Sequence, residues 1–236
     1  WVTLNVPEKH IMCFDPMTGK RGIAKTREVE GKTQVYMQLK SGESIILQTF
    51  TRSLQGEPEW KYRKEMDYSL SLDHGWKLRF VESYPAIEGE FKIDTPSSWT
   101  EIAHPAAKIN RGTALYSLEL DLPDLLADDW ILNLGDVRES ARVRVNGQEA
   151  GVAWAAPFRL SIGQLLKSGR NLIEVEVTNL PANSIAEMDR QGKQWRIFED
   201  INMAKLNYEK GTYGHWETLP SGLNGIVRLI PVKYLF

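Results

Sequence analysis

A single cysteine, Cys13, occurs in the 236 residues, so no disulfide can form within the chain. Its four histidines, His10, His74, His104 and His215, lie far apart, and no spacing suits a zinc site. No apolar run approaches the roughly 20 residues that a membrane-spanning helix needs. Charge of one sign is also missing: 29 Lys and Arg face 31 Asp and Glu, for a net charge of −2. The basic residues are scattered, which removes the electrostatic footprint of a nucleic-acid or anionic-membrane partner. Lys20-Arg21 and Arg63-Lys64 are dipeptides and read as solvated faces. No Gly-x-Ser-x-Gly elbow and no phosphate-cradling glycine pattern is present. The chain opens at Trp1, inside a strand-like run, without an initiator Met or a signal-peptide pattern. This reads as a piece of a longer polypeptide. There is no internal repeat and no low-complexity tract.

What is present points to an all-β protein. Composition is that of a globular chain, 42% hydrophobic and 25% charged. Period-two alternation dominates. Val35-Met37-Leu39, Trp76-Leu78-Phe80, Tyr116-Leu118-Leu120-Leu122, Trp130-Leu132-Leu134, Ala141-Val143-Val145 and Ile173-Val175-Val177 each read as a half-buried strand. The run near Ile226 to Val232 is apolar on both faces apart from Arg228. Helical patterns are scarce. Gln164 to Lys167 reads as one helical turn, and Gln194 to Leu206 as a long decorated loop with a short helix. Cys13 falls in an apolar strand and reads as a small core residue.

Asn146-Gly147 predicts a two-residue type I′ hairpin, because both central positions need positive φ. The implied register sets Val145 opposite Gln148, Val143 opposite Ala150 and Ala141 opposite Val152. One apolar face of Ala141, Val143, Ala150 and Val152 results, and Asn146 has a structural role.

Composition divides the chain into three. Residues 1–52 read as a small β-sheet or sandwich segment, with about four strands in the first 50, expected either to pack on residues 66–236 or to be the end of a truncated domain. Residues 53–65 are polar with Gly and Pro and suit a linker. Residues 66–236 hold strands enough for an eight-stranded jelly roll.

The motifs "LGDVRESARVRVNGQEAGVAWAAPFRL" (134–160) and "LLKSGRNLIEVEVTN" (165–179) resemble the galactose-binding-like jelly roll of sugar-binding domains in glycoside hydrolase family 2. "LDHGWKLRF" and "SSWTEI…INRGTALYSLELDLP" resemble the start of the same domain. "FDPMTGKRGIA…LKSGESIILQTF", "AWAAPFR" and "LPSGLNGIVRLIPV" resemble the C-terminal region of family 106 α-L-rhamnosidase-like proteins. The last motif carries Leu-Asn-Gly-Ile where that pattern has a Gly-Pro pair. The resemblance implies a catalytic barrel upstream in the same polypeptide, with this piece as a non-catalytic carbohydrate-associated β-sandwich. It also implies a glycan or oligosaccharide partner, a structural calcium near the jelly-roll edge, and a periplasmic or extracellular setting. An independent carbohydrate-binding module and a ligand-free structural interaction domain are the rival readings.

Catalysis within the chain finds no support in the sequence. Glycoside hydrolysis needs two carboxyls roughly 5–10 Å apart in a cleft. Asp136 with Glu139, Glu187 with Asp189, and Glu199 with Asp200 are neighbours of the kind that chance places in water. Sugar contact is the open question, since the C–H faces of a pyranose lie well on an indole and eight tryptophans are present. Candidate contacts are Trp99, Trp154, Arg159, Asn179, Arg190, Trp195 and Trp216. Trp99 begins a loop after Thr95-Pro96-Ser97-Ser98 and is expected to be exposed. Trp154 either continues the apolar face of Val152 into the core or meets ligand. Arg159, beside Phe158, either bridges strands or reaches a sugar. Trp195 with Arg196, and Trp216 between His215 and Glu217, lie in loops, while Asn179, Asn183 and Arg190 supply polar reach.

Overall fold

The computed structural model describes residues 1–123, 127–197 and 211–236. It is nearly all β, as the alternation predicts. Two compact units emerge: Trp1–Tyr68 with Ala127–Trp130 and Ile230–Phe236, and Ser69–Leu126 with Ile131–Leu229.

The first unit carries β1 (Val2–Thr3), β2 (His10–Phe14), β3 (Arg21–Ile23), β4 (Thr26–Val29), β5 (Lys32–Val35), β6 (Ile46–Phe50) and β7 (Tyr62–Glu65). They form small antiparallel sheets in the orders β1-β5-β4 and β3-β2-β6. Ile11, Cys13, Ala24 and Val35 make the core, flanked by Leu4, Met37, Ile45, Leu47 and Trp60. Six strands occupy the first 50 residues, where the sequence led us to expect about four. The extra hairpin, β4–β5, turns at Glu30 and Gly31, whose φ values are 51° and 72°. β4 is polar and mostly exposed, so no apolar alternation announces it, whereas β5 buries Thr33 and Val35 and ends at Val35, before the Met37 and Leu39 that the alternation had included. Within the polar stretch 53–65, Tyr62–Glu65 form a strand that pairs with Val232–Leu235.

Burial accounts for the chemistry of Cys13. Its side chain is fully enclosed, and desolvation of the thiolate pushes the thiol pKa up to about 11. The native chain is therefore expected to resist iodoacetamide at pH 8, with labelling confined to unfolded molecules. Mass spectrometry with and without urea tests this. Full labelling within minutes in buffer alone would contradict it.

The second unit carries β8 (Leu70–Ser71), β9 (Trp76–Tyr84), β10 (Glu90–Ile93), β11 (Arg111–Leu122), β12 (Asp129–Asn133), β13 (Val137–Arg138), β14 (Ser140–Val145), β15 (Gln148–Ala153), β16 (Arg159–Ser161), β17 (Gly169–Thr178), α1 (Ala182–Arg190), β18 (Gly222–Leu223) and β19 (Arg228–Leu235). The first two residues of β12 and the last six of β19 belong to the first unit. An antiparallel sheet runs β10-β9-β11-β17-β14-β15. Its long central ladder sets Tyr116 opposite Val175 and Leu118 opposite Ile173. Trp76, Leu78, Tyr116, Leu118, Val143, Val145, Ile173, Val175 and Val177 are buried on one face. Arg144 and Glu176, 3.5 Å apart, stand on the other. Apolar burial of one face per strand is the main driving force for such a layer. Leu132, Leu160, Leu223 and Leu229 are buried from the remaining strands, and Leu134 and Val227 from the residues adjoining β12 and β19.

The hairpin forms at Asn146-Gly147 with φ values of 53° and 79°. Asn146 is structural: its side chain donates to Leu165 O and Asn171 Oδ1 and accepts from Leu172 N–H. Fully buried Asn171 in turn donates to the carbonyls of Lys167 and Gly169 and accepts from Lys167 N–H. The expected register holds only at the turn. Val145 faces Gln148 and Arg144 faces Glu149, but a bulge then sets Val143 opposite Gly151, Arg142 opposite Val152 and Ala141 opposite Ala153. A single inserted residue exchanges the faces of everything beyond it. Ala153 is consequently buried, while Val152 is exposed. Gly151 accommodates the bulge at φ 134°, a conformation that side chains rarely allow.

Gln164 to Lys167 is met by a short 3-10 turn at Gly163–Leu165. In the Gln194 to Leu206 stretch, residues 194–197 are not helical, and the rest of it lies outside the described residues, as do Glu199 and Asp200. The α-helix found among the described residues is α1, which the sequence reading missed.

Candidate functional site

The described part of the second unit gathers an aromatic and polar cluster around α1. The helix follows Leu180-Pro181 and buries Asn183, Ser184 and Ala186. Because that buried face is largely polar, hydrophobic periodicity does not reveal the helix.

Polar side chains of α1 hold the segment 211–219 by hydrogen bonds. Asn183 donates to Leu219 O at 2.8 Å and accepts from Leu219 N–H at 2.8 Å. Arg190 donates to Gly214 O at 2.9 Å, to Trp216 O at 2.8 Å and to Glu187 Oε2 at 2.9 Å. Asp189 accepts from the Trp195 indole at 2.5 Å and from Tyr213 N–H at 2.5 Å. Arg196 donates to Gly211 O, and its guanidinium lies 4.7 Å from the Trp195 ring centroid and 5.6 Å from that of Tyr213. Such cation–π contacts are worth about 0.5–1 kcal/mol at exposed sites.

The result is a row of three rings. Trp195 and Tyr213 have centroids 5.8 Å apart, and Tyr213 and Trp216 have centroids 4.6 Å apart, tilted by 48°. Trp216 is 39% exposed, so the outer ring is available to a ligand while its backbone is fastened. A polar shell that locks an exposed aromatic suits a flat, amphipathic ligand face.

Electrostatics reinforces the fastening. Burial raises the Asp189 pKa, but hydrogen bonds from the Trp195 indole, Tyr213 N–H and Gly214 N–H, with the Arg196 charge, outweigh it. The carboxyl is held below the ordinary aspartate range. Glu187 is held low as well, by hydrogen bonds from Arg190 and Gln191. A depressed folded-state pKa contributes stability that is present above the unfolded value and lost as pH falls through the folded value. The Trp195 indole N–H resonance is therefore expected to stay constant from neutral pH downward and to move only below about pH 4. In Asp189→Ala it is expected to sit at the shifted position at every pH. A midpoint near neutrality would contradict this role for Asp189.

Three of the seven sequence candidates, Arg190, Trp195 and Trp216, thus meet in one place. Asp189 and Tyr213 complete it without having been singled out. The Glu187/Asp189 pair had looked like idle solvated carboxylates, yet each holds specific donors.

The other candidates stand elsewhere. Trp99 is a correction: it is fully buried rather than exposed. Its ring sits 5.5 Å from that of Phe80, and its 3-10 turn is pinned by Ser98, whose hydroxyl accepts from Ser221 N–H. Trp154 is also corrected with respect to its core alternative. The bulge removes it from the inner face, and it is 57% exposed beyond edge strand β15. Arg159 lies in β16 opposite Asn133, half-buried and engaged by the protein itself. Asn179 accepts from Gly112 N–H and donates to Asn110 O and the Ser221 hydroxyl, each at 3.0 Å. Its amide is spent on joining β11 and the 221 segment.

Among the described residues no group of three or more His, Cys, Asp or Glu side chains is placed to hold a metal ion.

Fold and relatives together define a β-sandwich region related to glycoside hydrolases. No protein-family model matches the chain. Among solved structures, a rhamnosidase from Novosphingobium sp. PP1Y aligns with 97% of this chain at 25% identity and a TM-score of 0.75. A Formosa agariphila protein that bears the name of a beta-glucuronidase is 28% identical over 197 residues, 75% of this chain. The beta-glucuronidase of Bifidobacterium dentium aligns with 72% of the chain at 21% identity, with a TM-score of 0.49. The chain spans 21% of the rhamnosidase and 17% of the Formosa relative.

Proposed function

We propose that this chain is the non-catalytic, carbohydrate-associated β-sandwich region of a larger, α-L-rhamnosidase-like glycoside hydrolase. On this reading it supports a catalytic barrel elsewhere in the polypeptide, outside the cell or in the periplasm. Its second unit is a galactose-binding-like jelly roll whose Trp195–Tyr213–Trp216 row meets glycan. The likeness to the rhamnosidase over 97% of the chain is the observation that carries the reading. The fastened aromatic row supports glycan contact, because stacking on a preset ring avoids the entropy cost of ordering it.

Calorimetric titration of residues 1–236 with rhamnosyl and glucuronosyl oligosaccharides tests the proposal. Binding is expected, with at least a tenfold loss in Trp216→Ala, about 1.4 kcal/mol or more. Equal binding by wild type and Trp216→Ala would remove the platform from the account. An independent carbohydrate-binding module is the second reading, favoured by the cluster being assembled from the second unit's own residues. The two separate on whether glycan affinity changes when the chain is joined to the rest of its polypeptide.

A further inference from the structure

We propose a second carbohydrate subsite, separate from the aromatic row, in an open groove of about 410 Å³ beside β10. It takes a neutral oligosaccharide of two or three residues. The proposal rests on the carbohydrate association argued above but not on the Trp216 platform.

The groove runs from β10, the edge strand of the large sheet, to the 3-10 turn at Trp99–Glu101. Phe91, Lys92, Asp94, Thr95, Ser97 and Glu101 supply its chemistry. Both walls are fixed. Phe91 lies 6.4 Å from Phe80 and 6.3 Å from His104, near perpendicular to each. Behind the opposite wall, Trp99 N–H donates to Ser221 O, and Ser98 Oγ bonds to Ser221 as well. Phe91, half-buried and held by Phe80 and His104, thus lines the groove together with carboxylates and hydroxyls that can accept from and donate to sugar hydroxyls.

Charge selects the ligand class. Asp94 and Glu101 outnumber Lys92, so the groove is net negative and disfavours uronates and sulfated sugars. Its size is at the lower end for small-ligand sites, which suits a short oligosaccharide.

The test is an amide-shift titration of isotope-labelled residues 1–236 with a neutral rhamnosyl trisaccharide, against a glucuronosyl trisaccharide. The neutral sugar is expected to move amides within 91–103 and to bind there at least tenfold tighter than the acidic one. Phe91→Ala is expected to abolish those shifts while leaving any at 213–216. Glu101→Gln, exposed and tolerant for folding, is expected to weaken the neutral sugar at the groove severalfold. Thermal melts check that each variant is folded. Shifts confined to 213–216 would overturn the groove and leave the platform standing. Shifts confined to 91–103 would do the reverse. Tighter groove binding of the acidic sugar, or no shifts at all, would overturn this proposal.

Discussion

Gly222→Ala is expected to destabilise the second unit by about 4 kcal/mol, combining backbone strain with overpacking. The added Cβ would lie 2.2 Å from the Tyr116 hydroxyl and 2.8 Å from Trp99 Cε3, at a φ of 96°. Neither neighbour has room to yield, since Trp99 and Tyr116 are both fully buried. Tyr116 also accepts from Leu223 N–H through that hydroxyl, a bond that the intruding carbon would break. At this chain length the loss corresponds to a fall of roughly 10 °C in Tm. Thermal unfolding by circular dichroism gives the answer, and a change under 2 °C would show that the β18 segment is not packed as described. Gly147→Ala is the matched comparison: it too has positive φ, but nothing lies within 4 Å of its Cβ, so strain acts alone.

Asn179→Ala is expected to cost about 2–3 kcal/mol, since Gly112 N–H, Asn110 O and the Ser221 hydroxyl each lose a partner. The same substitution is expected to leave glycan affinity unchanged. Melting and titration on one sample separate the two possibilities. Weakened sugar binding with full thermal stability would return Asn179 to the list of ligand contacts.

Much of the sheet was legible in the sequence, because strands with one buried face write that face as alternation. The Asn146-Gly147 turn was legible for a different reason: few residue pairs tolerate two positive φ values. The bulge was not. Gly151 inside a strand signals either a bulge or a close backbone approach, and nothing local says which. That ambiguity reversed the expected facing of Val152 and Trp154. Strand β4 was missed because it has no buried stripe to report, and the stripe of β5 is only Thr33 and Val35, too short to read as a strand of its own.

The site was legible only in its two tryptophans and in Arg190. Tryptophans in loops are visible as candidates, yet exposure is a tertiary property, as buried Trp99 shows. Asp189 and Tyr213 come from segments more than 20 residues apart, joined by a hydrogen bond from a backbone N–H, which no side-chain pattern encodes. Helix α1 escaped because its inward face carries Asn183 and Ser184, buried through hydrogen bonding rather than apolarity.

The central claim is that this sandwich engages glycan without cleaving it. Saturation-transfer NMR of residues 1–236 with a rhamnosyl trisaccharide reads both halves in one tube. The account predicts transfer to the sugar ring protons, diminished in Trp216→Ala, with the trisaccharide intact after a day. Accumulation of free reducing sugar, or an absence of transfer with folded protein, would contradict it.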